Sequence, residues 1–178
     1  IDLVTELAAE GHRALVFSQF TRYLGLVRDR LEAEGIGASY LDGRTRDRPA
    51  RIEQFREGTD PVFLISLKAG GFGLTLTEAN HVFHYGRWWN PAKEAQATDR
   101  VYRIGQERDV HVYYLIAKDK KSLLVTFDEK LDLLLKRRLA LASDFLAPMP
   151  MEDDLSKDFL ADIFSGSTPD ITTIESPK

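Results

Sequence analysis

The sequence predicts an α/β domain: a mainly parallel sheet with helices on both faces, and a long helix after the last strand. Two observations point there. Short apolar or β-branched runs bounded by turn residues alternate with longer segments of helical period, the pattern of a parallel sheet covered by helices. The unusual residues also fall at the carboxyl ends of the candidate strands, where sheets of this kind place their ligand sites.

Taken in order, the chain opens with Leu3, Val4, Leu7 and Ala8 at helical spacing, a helix that Gly11 stops. Ile1 already lies inside that pattern, so the chain reads as an excised fragment. The strands follow as ALVFS (14–18), GASYLD (37–42), VFLIS (62–66), HVFHY (81–85) and VHVYYLIA (110–117). Helical periodicity covers roughly 21–34, 47–57 and 92–103 between them, with the long helix expected at about 122–144. Pro91 suits the first turn of the helix that follows it, and Gly105 is placed to end that helix in a left-handed cap. APMP (147–150) breaks the pattern, which divides the chain into a lobe at 1–147 and a tail at 148–178. Within the tail, Leu155, Phe159, Leu160, Ile163 and Phe164 share one face of a short helix at about 152–164, a face expected to pack back on the body. The closing STPDITTIESPK has little to bury and reads as flexible.

A chain of 178 residues with 43% apolar content suffices for one core. No stretch approaches the ~20 apolar residues of a membrane span and no signal peptide is visible, so a cytoplasmic protein with no membrane partner is expected. The absence of cysteine excludes disulfides, Cys-ligated zinc and thiol catalysis. The four histidines, His12, His81, His84 and His111, carry no second-ligand pattern, and His81 and His84 read as ordinary strand residues, so no metal site is expected on them. Seven of the 28 acids but two of the 24 bases lie from residue 148 onward, which leaves 21 acids against 22 bases in residues 1–147. The net charge of −4 therefore belongs to the tail, and only a local basic face can decide whether the body meets nucleic acid.

On a continuous helix, Gln96, Arg100 and Arg103 stand at i, i+4 and i+7 and share one face. Two guanidiniums so placed can grip a polyphosphate or stabilise its charge during transfer, although an Asp99–Arg103 pair on a solvated face fits the same spacing. The Gly-rich segment SLKAGGFGLT (66–75) lacks the Gly-Lys-Ser/Thr of a P-loop, so this chain does not hold a nucleotide alone. Gly70, Gly71 and Gly73 can bring backbone amides close to an anion beside Lys68, and a tight structural turn accounts for them equally well. Trp88 and Trp89 cannot point the same way on regular structure; one is expected to pack inward and the other to face the cleft, with Arg87 on a phosphate. Core packing explains both indoles as readily. Ser18, Gln19, Phe20, Arg22, Gly43, Arg44, Thr45, Arg46 and Arg48 put hydroxyls, amides and arginines at neighbouring strand ends, the usual chemistry of sequence-independent phosphate contact. A solvated helix start is the alternative for Arg46 and Arg48, and the better reading of Arg51.

FSQFTRYL, YLDGRT, ISLKAGGFGLTLTEAN, WWNP and QATDRVYRIGQ, in that order between Phe17 and Gln106, closely resemble the second motor lobe of SWI/SNF-type remodelling ATPases of helicase superfamily two. The resemblance covers roughly residues 1–145. It implies a single RecA-like lobe that clamps ATP against an N-terminal RecA-like lobe and moves on double-stranded DNA, acting on a protein target there. ATP and Mg2+ would be held mainly by that first lobe, whose Walker Lys and Asp-Glu box do not occur here. By motif match Arg100 and Arg103 would be arginine fingers with Gln96 alongside, and Gly71 and Gly73 would lie near the nucleotide. Lys68, Ala69 and Gly70 would couple it to DNA. Ser18, Gln19 and Phe20, Gly43, Arg44 and Thr45, and Arg87 with Trp89 would touch the duplex. The resemblance departs at SLLV (122–125), where the family has a Thr-Val-Glu-Glu element that starts the long helix. A nucleoid-associated protein of bacterial or archaeal origin is expected, since long insertions and basic tails are missing.

Overall fold

The computed structural model describes residues 1–69, 73–119 and 125–145. Gly70, Gly71, and the tail from 148 with its expected helix lie outside the described residues. Five strands, β1 (Ala14–Ser18), β2 (Ala38–Leu41), β3 (Val62–Ser66), β4 (His81–Tyr85) and β5 (His111–Leu115), form one sheet in the order β2-β3-β1-β4-β5. All four pairings are parallel. The register sets Ala14 beside both Val62 and His81, so the carboxyl ends of β1, β3 and β4 reach one rim of the sheet together.

The helices are α1 (Asp2–Ala9), α2 (Thr21–Ala33), α3 (Arg48–Glu57), α4 (Pro91–Thr98) and α5 (Phe127–Phe145). Alternation along the strands builds a core on each face. Leu15, Phe17, Phe63, Ile65 and Val82 pack with Phe55 of α3 and Ala97 of α4. On the other face Val16, Val62, Leu64 and Phe83 pack with Val4 and Leu7 of α1 and Leu24 and Leu31 of α2. This is the RecA-like lobe expected from sequence.

Three local devices set the frame. Arg13, just before β1, donates to the carbonyls of Phe55, Arg56, Gly58 and Asp60, so a cation closes the carboxyl end of α3, where the helix dipole favours one. Asn90 caps α4 by accepting from Ala92 N at 3.0 Å, with Pro91 at the first helical position. The long helix starts at Phe127, not 122, because Thr126 and Glu129 form a reciprocal capping box: Glu129 N donates to Thr126 Oγ1 at 3.2 Å and Thr126 N to Glu129 Oε2 at 3.0 Å. The helix-starting element that SLLV lacked thus stands a few residues later, as Thr-Phe-Asp-Glu. It also fastens β5, since Thr126 Oγ1 donates to Ala117 O at 2.6 Å and Ala117 N to Asp128 Oδ2 at 3.1 Å.

His84 of β4 is buried between the rings of Phe17 and Tyr114, with Nε2 2.9 Å from Thr98 Oγ1. Burial, helped by the nearby charge of Arg87, lowers its pKa from 6.5 to about 4. A histidine held neutral in the fold and free to protonate when unfolded leaves stability complete above pH 6.5 and removes it as pH falls toward 4. Urea unfolding of the wild type should lose on the order of 3 kcal/mol to this group over that window. His84→Gln should flatten the profile; an equally steep fall in the variant would assign the acid sensitivity elsewhere.

Candidate functional site

The rim formed by the carboxyl ends of the strands gathers most of the residues singled out from sequence. After β1, the Ser18 hydroxyl donates to Tyr85 O at 3.2 Å and accepts from Phe20 N at 3.1 Å. Ser18 is fully buried, so it serves the fold, while half-exposed Phe20 stands at the start of α2. Gln19 Nε2 reaches Arg87 O at 3.5 Å. After β2, Asp42 organises a tight turn: Arg44 N donates to its Oδ1 at 2.9 Å, Thr45 Oγ1 to the same oxygen at 3.1 Å, and Asp42 N to Thr45 Oγ1 at 3.0 Å. Gly43 and Arg44 are held exposed at its tip. After β3, Lys68 is exposed and Ala69 buried.

After β4, the chain turns at Gly86 (φ +85°) into a buried ion cluster. Arg87 is 6% exposed. Its guanidinium meets Glu94 of α4 at 3.1 Å and Asp132 of α5 at 2.5 Å, and lies 4.4 Å from the ring centroid of Tyr114 of β5. Arg87 is therefore an internal tie among β4, α4, α5 and β5, and not the outward phosphate contact expected from sequence. Glu94 also accepts from Trp88 N at 2.6 Å. Burial raises the Glu94 pKa, against the opposing Trp88 N–H and Arg87 charge, so the carboxylate depends on both partners to stay ionised. The two indoles do not split inward and outward. Because the segment is irregular, they stack on each other with centroids 4.1 Å apart, Trp88 buried and Trp89 half-buried against Leu131, Leu134 and Leu135.

The arginine pair sits differently from the helical expectation. α4 ends at Thr98, and the carbonyl of Arg100 accepts from Leu76 N at 2.9 Å instead of continuing the helix. Val101 N bonds to Thr98 O and Arg103 N to Val101 O, tight turns that leave Gln96 and Arg103 exposed and turn Arg100 inward. Gly105, at φ +104°, belongs to the loop beyond and does not cap the helix. Arg100 is 3% exposed and its Nε finds no acceptor. Burial and then the neighbouring Arg103 charge lower its pKa, opposed by Asp99. No Asp99–Arg103 ion pair forms; Arg103 donates to the Asp99 carbonyl at 3.4 Å, to Thr75 Oγ1 at 3.0 Å and to Gly73 O at 3.4 Å. Gln106 completes the attachment by donating to Thr77 O and Ala79 O at 3.2 and 2.8 Å. Arg100, Arg103 and the segment 73–79 therefore form one unit.

Residues 1–105 match the helicase conserved C-terminal domain. YwqA of Bacillus subtilis (strain 168), named as a candidate ATP-dependent helicase/translocase, is 38% identical over 168 residues, covering 93% of this chain and 18% of that protein. Helicase SWR1 of Debaryomyces hansenii is 43% identical over 119 residues, 65% of this chain and 7% of its own length. The crystal structure of the C-terminal part of the Fun30 ATPase domain superposes with a TM-score of 0.65 at 36% identity, covering 72% of this chain and 40% of that one. The chain thus spans less than a fifth of either curated relative.

The Arg87 cluster generates a direct test. Arg87→Ala leaves buried Glu94 without its cation and half-buried Asp132 with Lys136 alone, and should cost about 3 kcal/mol of unfolding free energy. A double-mutant cycle of Arg87→Ala with Asp132→Ala should give strong coupling, whereas additive losses would mean that the two side chains act independently.

Proposed function

The chain belongs to the helicase conserved C-terminal domain family, among its SWI/SNF-type helicases and translocases, and from that premise we propose that it is the second motor lobe of an ATP-driven double-stranded DNA translocase. The observation that carries this reading is Arg100. A buried guanidinium with an unpartnered Nε and a second arginine beside it leaves positive charge that no bonded carboxylate offsets among the described residues. Such charge is costly unless an anion meets it, and the phosphates of a nucleotide have the right chemistry.

In this reading the N-terminal RecA-like lobe holds ATP, and closure brings Arg100 and Arg103 to its phosphates, with Gln96 alongside. The arginines then stabilise charge that spreads over the transferred phosphoryl oxygens. Arg103 is bonded to Gly73 and Thr75, so its advance toward phosphate draws on the Gly-rich segment that carries Lys68, Ala69, Gly70 and Gly71. That bond is the route by which nucleotide and DNA are coupled. Gln19, Phe20, Gly43, Arg44, Thr45 and Lys68 contact the backbone of the tracked strand, joined by half-buried Trp89. Magnesium, when bound, would supply charge neutralisation at the phosphates. Its ligands, like those of ATP, are assigned mainly to the first lobe, in keeping with the family resemblance. The isolated lobe is inactive; the two-lobed protein hydrolyses ATP in the cytoplasm, on nucleoid DNA, and moves a protein target there.

The test compares ATP hydrolysis by the two-lobed protein with and without duplex DNA. Arg103→Ala should lower turnover by about 10³ to 10⁵, as loss of such arginines does in other phosphoryl-transfer enzymes, while leaving DNA binding intact. Unchanged turnover would remove the finger assignment, and a wild type that binds duplex DNA without hydrolysing ATP would make the lobe a binding module.

A further inference from the structure

We propose that the open pocket beside β2 is a second phosphate-binding site, one that takes backbone phosphates of duplex DNA beyond those met by the Asp42–Thr45 turn. The inference rests on the DNA-tracking reading above. The pocket has a volume of about 570 Å³, and its walls include Arg28 from α2, Arg46 and Arg51 around the start of α3, Tyr40 from β2, and Thr45. Three guanidiniums from two stretches of chain therefore border one space. Asp47, which caps α3 by accepting from Ala50 N at 3.1 Å, is the one carboxylate among the lining residues, against three arginines.

The arginines are placed for an exchangeable anion. Arg28 is exposed, bonded to exposed Asp29 at 3.0 Å and set 5.6 Å from the Tyr40 ring centroid, so the ring orients the guanidinium while its charge partner remains in water. Arg51 donates only to the neutral amide oxygen of Gln54, at 2.7 Å, and Arg46 is exposed. Arg51 in the first turn of α3 opposes the helix dipole, a position where stability alone favours acids. Thr45 joins this pocket to the turn at the end of β2, so the added arginines extend the same backbone track toward the edge of the sheet. Guanidinium recognition of phosphate needs no base edge, which makes the added contact independent of DNA sequence.

The two-lobed protein would be titrated with a fluorescent duplex of about 30 base pairs across roughly 50 to 200 mM NaCl. Replacing Arg46 and Arg51 together by Gln should make the plot of log affinity against log salt shallower by about two, with the melting temperature retained, because each phosphate contact contributes a slope near 0.9. Arg28→Gln, on a different element, should lower the slope by about one and keeps the test readable should the double variant fail to fold. Unchanged slopes in both, with tight binding by the wild type, would overturn the pocket and leave the tracking reading standing. A wild type that does not bind duplex DNA would overturn both.

Discussion

The site depends on one buried charge. Arg87 sits where β4, α4, α5 and β5 converge, and its guanidinium meets one carboxylate from each of two helices and the face of an aromatic ring, while its Nε finds no acceptor. Ionised groups taken out of water are tolerated only when geometry and hydrogen bonding offset their desolvation. The positions of α4 and α5 are consequently not independent: each supplies a carboxylate to the same cation, Asp132 pairing also with exposed Lys136 at 2.8 Å. Because Glu94 lies in the first turn of α4 and also binds Trp88 N, the same contact orients the WWNP segment. Everything downstream on that helix, including the turn that carries the arginines, inherits its placement from there.

The arginine turn follows a different logic. Continuing α4 to residue 103 would have put both guanidiniums on one solvated face. Ending it at Thr98 lets Arg100 O take a hydrogen bond from Leu76 and buries Val101 in the core, and this carries Arg100 inward while Arg103 is tied to Gly73 and Thr75. The two arginines thereby differ in role. One is enclosed and poor in partners; the other is exposed and held by bonds that can be exchanged.

Much of the fold was legible from residue pattern. β1, β3 and β4 fall on the bounds that their apolar runs suggest, because continuous burial in a parallel sheet leaves a clear signal. The long helix was placed too early because apolar Leu123, Leu124 and Val125 extend its periodicity backward, although the Thr126-x-x-Glu129 box was present as a local start signal. At the site, the motifs located the rim but not the direction of each side chain. Nothing local to Arg87 announces that Asp132, 45 residues later, will meet it, so an arginine at a strand end looked like a phosphate ligand. Stacking of Trp88 on Trp89 was hidden for a related reason: a rule about opposite faces holds for regular structure, and this segment has none.

The strand order also governs how the chain comes together as it is made. β1 becomes the middle of the sheet and β2 an edge, yet the two never pair with each other. When residues up to 61 have left the ribosome, both strands exist and neither has its neighbour. β3 supplies one to each, aligning Val62 with Ala14 on one side and with Ala38 on the other, and β4 then closes the remaining side of β1 across 67 residues of chain. Loop closure of that length precedes any reward from pairing. The nascent lobe therefore begins its sheet only with β3, and until Val62–Ser66 emerges the fully buried strand β1 lacks both of its sheet neighbours.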